Sequence, residues 1–158
     1  MSALEMIQLY IAYHIALSRQ VWESIEQISD EQFLQDDAYS RGSIRNLMVH
    51  LASVDRRWLA GLKNLPDVGH LLFEDYPNRA SARALFEQVS QDLTDYAAAL
   101  SEDALLQNPA DISSPRMAVL MHMVNHGTDH RATVLQRLDE FGAPSFGQDF
   151  ILWLWSKN

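Results

Sequence analysis

Six histidines stand in this chain of 158 residues: His14, His50, His70, His122, His126 and His130. The last three follow one another at i, i+4 spacing. Six histidines scattered at random over such a length would give about 0.2 pairs at that spacing, and here there are two. On a helix, side chains four apart lie one above the other on the same face. Two imidazoles so placed can chelate one ion at about 2.0–2.1 Å per bond.

Three in a row cannot all do so. With about 100° of turn per residue counted from Leu120, His122 falls at roughly 200°, His126 at roughly 240° and His130 at roughly 280°. The apolar arc of that helix runs from roughly 300° through 0° to 60°, so His126 and His130 flank the buried stripe and His122 turns further towards solvent. His50, counted from Ile44 on an earlier helix, also falls at roughly 240°, again at the margin of an apolar arc. His50, His126 and His130 together would offer three neutral nitrogen donors and leave coordination positions open, the pattern of a catalytic rather than a closed structural metal. The other reading of the same spacing is a hydrogen-bonded or surface histidine pair. His14, His70 and His122 read as structural or solvated. Asp55 and Asp129 are either carboxylates that orient ligand imidazoles or solvated acids. Tyr10 and Tyr13 are candidates to face a cavity, and the Trp153/Trp155 pair reads as core or interface packing.

The remaining chemistry-bearing patterns are missing. The sequence has no phosphate-binding Gly-rich loop, no G-x-S-x-G and no H-E-x-x-H. Zero Cys excludes thiolate metal sites, disulfides and Cys nucleophiles.

These residues must be positioned by helices, because period-3.6 patterning dominates and nothing alternates with period 2. Leu4, Ile7, Ile11, Ile15, Val21, Trp22, Ile25 and Ile28 predict a first helix over 3–28. Ser29 and Gln32 form a capping-box pattern that opens a short piece near Asp30–Gln35. Ser43 caps a second long helix reaching about Lys63. The stretch Asn64–Asn78, with Pro66, Gly69 and Pro77, is the longest expected loop. A third long helix spans about 79–100, and Ser101 restarts a short one. Ser114 as N-cap, Pro115 in the first turn and Gly142 past the end delimit the fourth. Asp149 is placed to cap a last helix, Phe150–Trp155. Four long helices in one domain over 1–158 predict an all-α four-helix bundle with a short extra C-terminal helix.

Lys plus Arg number 12 and Asp plus Glu 21, a net charge of -9. Residues 1–79 carry 11 acids and 7 bases, and residues 80–158 carry 10 and 5. Neither half offers a basic surface to track phosphates, so nucleic acid is excluded as a partner. No run approaches the ~18 apolar residues of a membrane span, and no basic residue precedes Arg19 to make a signal peptide. A cytoplasmic protein with no membrane partner is expected.

The stretch SIRNLMVHLASVDRRWL from Ser43, then MHMVNHGTDHR and GAPSFGQDFILWLW, resembles the DinB/YfiT-like family of metal-dependent enzymes over essentially the whole chain. In that family one His on the second long helix and an H-x-x-x-H on a later one bind a divalent metal. The resemblance therefore implies His50, His126 and His130 as ligands of Zn, Ni, Fe or Mn. Asp55, Trp58, Asn125 and Arg131 match the family pattern as well. One departure is Asp129-His130-Arg131-Ala132-Thr133 where the family often reads H-H-R-G-Q, which leaves the ligands intact and removes the amide side chain.

The resemblance implies an enzyme whose metal activates a small-molecule thiol or water, with thiol S-transferase or hydrolase chemistry. Lacking Cys, the protein would take any thiol as a cosubstrate. The alternative is a non-catalytic metal-binding bundle acting in stress response or sensing. The six consecutive apolar residues Phe150-Ile151-Leu152-Trp153-Leu154-Trp155, together with the family's frequent dimers, predict a homodimer.

Overall fold

The computed structural model describes residues 1–157. Four long helices carry the fold: α1 (Ala3–Ile25), α3 (Ile44–Leu62), α4 (Arg79–Ala99) and α6 (Arg116–Glu140). Three short ones, α2 (Asp30–Leu34), α5 (Glu102–Leu105) and α7 (Phe150–Trp155), fill the connections and the C-terminus. No strand occurs among the described residues. The helices start where the sequence supplies caps. Ser2/Glu5 and Ser29/Gln32 close capping boxes on α1 and α2, and Ser43 Oγ accepts from the Asn46 amide at 3.1 Å to open α3.

Two boundaries differ from the sequence expectation. Helix α1 ends at Ile25 rather than Ile28, and the chain turns through Glu26 and Gln27 while Ile28 stays buried. Helix α6 has Pro115, not Ser114, at its N-cap. The ring fixes φ at -63°, but ψ is extended at 152°, so the residue stands outside the helix and offers no capping side chain. Gly142 adopts φ +76° just after α6, the left-handed geometry that stops the helix. Asp149 is the N-cap of α7, without a side-chain capping bond. The long loop 64–78 holds a 3₁₀ turn, Phe73–Asp75.

Helix α1 packs on α6 and α4, and α3 packs on the same two. Hence α1 and α3 lie on one diagonal of the bundle, and α4 and α6 on the other. The apolar stripes form two cores stacked along the bundle axis. One gathers around Trp22, Phe33, Leu47, Met48, Phe86 and Leu138. The other gathers around Ile11, Leu62, Leu93, Leu120 and Met123. Between them lies a polar layer made by His14 and Ser18 of α1, His50 and Asp55 of α3, and Arg131 of α6, all buried. Burying such groups is costly unless they are paired or ligated, so this layer is where function is to be sought.

Candidate metal centre

Helices α3 and α6 are neighbours, and each presents imidazoles at the edge of its apolar face. His50 is 7% exposed, whereas His126 and His130 are half-buried. Ring centroids stand 4.9 Å apart for His50 and His130, 5.3 Å for His50 and His126, and 4.4 Å for His126 and His130. One ring nitrogen from each residue lies within 4.8 Å of those of the other two. The structure thus brings together the three histidines singled out from the sequence.

Their surroundings disfavour protonation. Burial above all, then the charge of Arg41 and the neighbouring imidazoles, pushes the His50 pKa down to about 3. Burial likewise leads in lowering His126 to about 4, with His130 adding to it and Asp55 opposing. His130 is lowered by burial against the pull of Asp129. All three are neutral at pH 7 and have lone pairs to give. His50 Nε2 and His126 Nδ1 are moreover buried without any hydrogen-bond partner. Orphaned donors of this kind cost about 1–3 kcal/mol each unless something occupies them. The donor set fits a divalent metal.

A cavity of about 610 Å³ adjoins the cluster on the His126 side. Val54, Trp58, Leu65, Pro66 and Ile112 give it apolar walls. His122 lines it too, exposed as expected, packed edge-on against Trp58 at 5.3 Å between centroids and 6.0 Å from His126. His70, read from the sequence as structural or solvated, is exposed but also lines the cavity and lies nearly parallel to His50 at 6.4 Å. Arg57 reaches His70 Nε2 at 2.6 Å and pairs with Asp67 at 2.8 Å, which ties this part of the long loop to α3. The sequence held no signal for His70, because a loop residue has no periodicity from which to infer its direction.

Other expectations are placed differently. Asp129 is exposed and accepts no hydrogen bond from a ligand imidazole. Asp55 Oδ2 takes its hydrogen bond from His14 Nε2 at 3.0 Å, not from any of the three clustered rings. Tyr10 and Tyr13 face α7 rather than a cavity: Tyr13 packs edge-on against Phe150 and Trp153, and its hydroxyl donates to the Gln148 carbonyl. Trp153 therefore folds back onto its own bundle, while Trp155 remains exposed.

The sequence model of the DinB family matches residues 1–157. The chain belongs to the DinB family. A curated relative, Protein DinB of Bacillus subtilis (strain 168), is 24% identical over 155 residues, covering 90% of each chain. Within this DinB-family bundle, the matched span contains both helices that carry the histidine cluster. No helix among the described residues is long and apolar enough to cross a membrane.

Proposed function

We propose that this DinB-family protein is an enzyme that holds a divalent metal on His50, His126 and His130 and works on a small molecule bound in the adjoining cavity. The reading rests on one observation: three uncharged imidazoles converge beside a cavity that is large and mainly apolar. A divalent ion on such a donor set supplies Lewis acidity, lowering the pKa of a thiol or water that shares its open positions.

The chain's own groups do the rest. Trp58, Leu65 and Ile112 offer an apolar substrate body a surface to pack against. The Arg57–Asp67 pair fixes the wall that carries His70. With no Cys anywhere in the chain, a thiol substrate arrives as a small molecule, which gives the cavity's size a purpose. Thiol S-transfer and hydrolysis both remain within this chemistry. The cavity favours catalysis over a sensing role, since a sensor needs the ion but not a substrate chamber.

Metal content by mass spectrometry tests the proposal, on protein purified without a His-tag or nickel resin. One equivalent of Zn, Ni, Fe or Mn per chain, lost in His130→Ala, is the expected result. Protein that carries no metal and gains none on dialysis against these ions would refute it.

A further inference from the structure

One stripe of α3 carries both a histidine of the cluster and the anchors of the loop beside it. His50, Ser53 and Arg57 stand at i, i+3 and i+7, positions that share a helix face. Buried Ser53 accepts the Leu71 amide hydrogen on Oγ at 2.9 Å. Arg57 donates to both oxygens of Asp67, from Nε at 3.0 Å and from Nη2 at 2.8 Å. Asp67 in turn accepts the Gly69 amide hydrogen at 2.9 Å, and Gly69 turns the chain at φ +65°, where glycine is at ease. His70 lies between these anchors. Its ring stands nearly parallel to that of His50, with 6.4 Å between centroids, on the wall of the cavity that His126 also lines. Yet it stays outside the three nitrogens that converge within 4.8 Å. A loop tied in this way holds its histidine beside the cluster without adding it to the donor set.

The third nitrogen of Arg57 decides which atom of His70 carries hydrogen. Nη1 meets His70 Nε2 at 2.6 Å. A guanidinium only donates, so Nε2 accepts and the ring's hydrogen sits on Nδ1. Nδ1 makes no hydrogen bond of its own among the described residues. Donation into Nε2 draws electron density from the ring and strengthens Nδ1–H as a donor. A ring in this state has a hydrogen to offer a ligand but no lone pair to give an ion, since Nε2 is already engaged.

We propose that His70 is a substrate-binding residue, whose Nδ1–H donates to an oxygen of a small molecule held at the neighbouring metal. The inference rests on the metal reading of the cluster and deepens it by naming a substrate class. That class is a molecule with a carbonyl or anionic oxygen next to its metal-binding atom, and with an apolar body to pack on Trp58, Leu65 and Ile112. A cationic group at the same point would face an N–H backed by the Arg57 guanidinium, and is disfavoured. Donors fixed in advance on rigid anchors stabilise an oxygen's charge without having to reorganise when it arrives. Arg57 and Asp67 are positioning residues, because they act through His70.

Acetate is the probe, since one of its oxygens can occupy the ion while the other meets His70; visible absorption of Co²⁺-loaded protein follows its binding. Two variants separate donation from architecture. His70→Asn puts an amide N–H near the place of Nδ1–H and should keep most of the acetate affinity. His70→Gln reaches Arg57 with its amide oxygen but leaves no donor at the Nδ1 position, so acetate affinity should fall about tenfold. A merely structural His70 predicts the reverse order, because Gln keeps the loop anchor and Asn gives it up. Co²⁺ affinity should be unchanged in both. A second readout needs no metal: long-range ¹⁵N–¹H correlation on metal-free protein should place the His70 hydrogen on Nδ1, and Arg57→Met should let part of it move to Nε2. Co²⁺-loaded wild type that takes no acetate, His70→Gln with wild-type acetate affinity, or a His70 hydrogen resident on Nε2 overturns the inference and leaves the metal centre standing. A wild-type chain that binds no Co²⁺ removes both.

Discussion

Gly127 lies in the middle of α6, where an Ala would ordinarily stabilise the helix by about 1 kcal/mol. Here the sign should reverse. An added Cβ meets His14 Cε1 at 2.3 Å, His14 Nδ1 at 2.5 Å and Arg131 Nη1 at 2.9 Å. Carbon atoms pack at about 3.5–4.0 Å, so the imidazole would have to retreat by more than about 1 Å. Neither neighbour has room: His14 is 3% exposed and Arg131 0%, and both are fixed by hydrogen bonds at 2.9–3.0 Å. Overpacking costs about 1–3 kcal/mol, and losing one hydrogen bond to a charged group about 1.5–3 kcal/mol. Subtracting the propensity gain leaves Gly127→Ala destabilised by about 3 kcal/mol. Gly61→Ala in α3 is the matched comparison. Its Cβ would meet only the side chain of half-buried Ile112, with Cγ1 at an ordinary 3.8 Å and the terminal Cδ1 at 2.9 Å, a methyl that can rotate away. That variant should be neutral or stabilised by up to about 1 kcal/mol. Urea unfolding followed by circular dichroism measures both, at constant m-value. A Gly127→Ala protein as stable as the wild type, or more so, would show that the polar layer is not packed as described.

Three further outcomes are expected. Metal that binds only the folded state should raise stability by about 2.7 kcal/mol at a hundredfold excess over Kd; His130→Ala should lose that increment in thermal unfolding and His122→Ala should keep it, and equal loss in both would mean the wrong rings have been paired. Because His50 and His126 titrate near 3 and 4 in the folded chain but near 6.5 when unfolded, the unfolded state binds more protons between those values. Stability of the metal-free protein should therefore hold above pH 6.5 and decline as pH falls towards 4, and a His50→Gln/His126→Gln double variant should lose much of that slope in pH-dependent urea titrations. The homodimer expected from the C-terminal segment would have to use Ile151, Leu152 and Trp155, the residues α7 leaves exposed, and sedimentation equilibrium checks it: an 18.0 kDa species persisting at high micromolar concentration rules it out.

The sequence by itself determined what is local. Apolar residues at three- and four-residue spacing marked all four long helices, and Ser43, Ser29 and Gly142 marked ends that the backbone respects. Cap chemistry failed at Asp149, which makes no side-chain capping bond, and at Pro115, where ring geometry and an extended ψ moved the boundary by one residue. Angular position on two helices also placed His50, His126 and His130 at the margins of their apolar arcs, because a helix fixes direction residue by residue. Which helices become neighbours is a different matter. It depends on how four stripes pack together, and no stripe carries that information alone. So Asp55, which the sequence offered as a partner for ligand histidines, could not be seen to bond His14 across the diagonal, nor Arg131 to hold His14 in turn. His70 and the cavity depend on a loop folding over α3, and the fate of Trp153 depends on Tyr13, 140 positions earlier in the chain. Contacts this distant in sequence exist only once the bundle has closed, and burial then forces every polar group within it to find a partner or an ion.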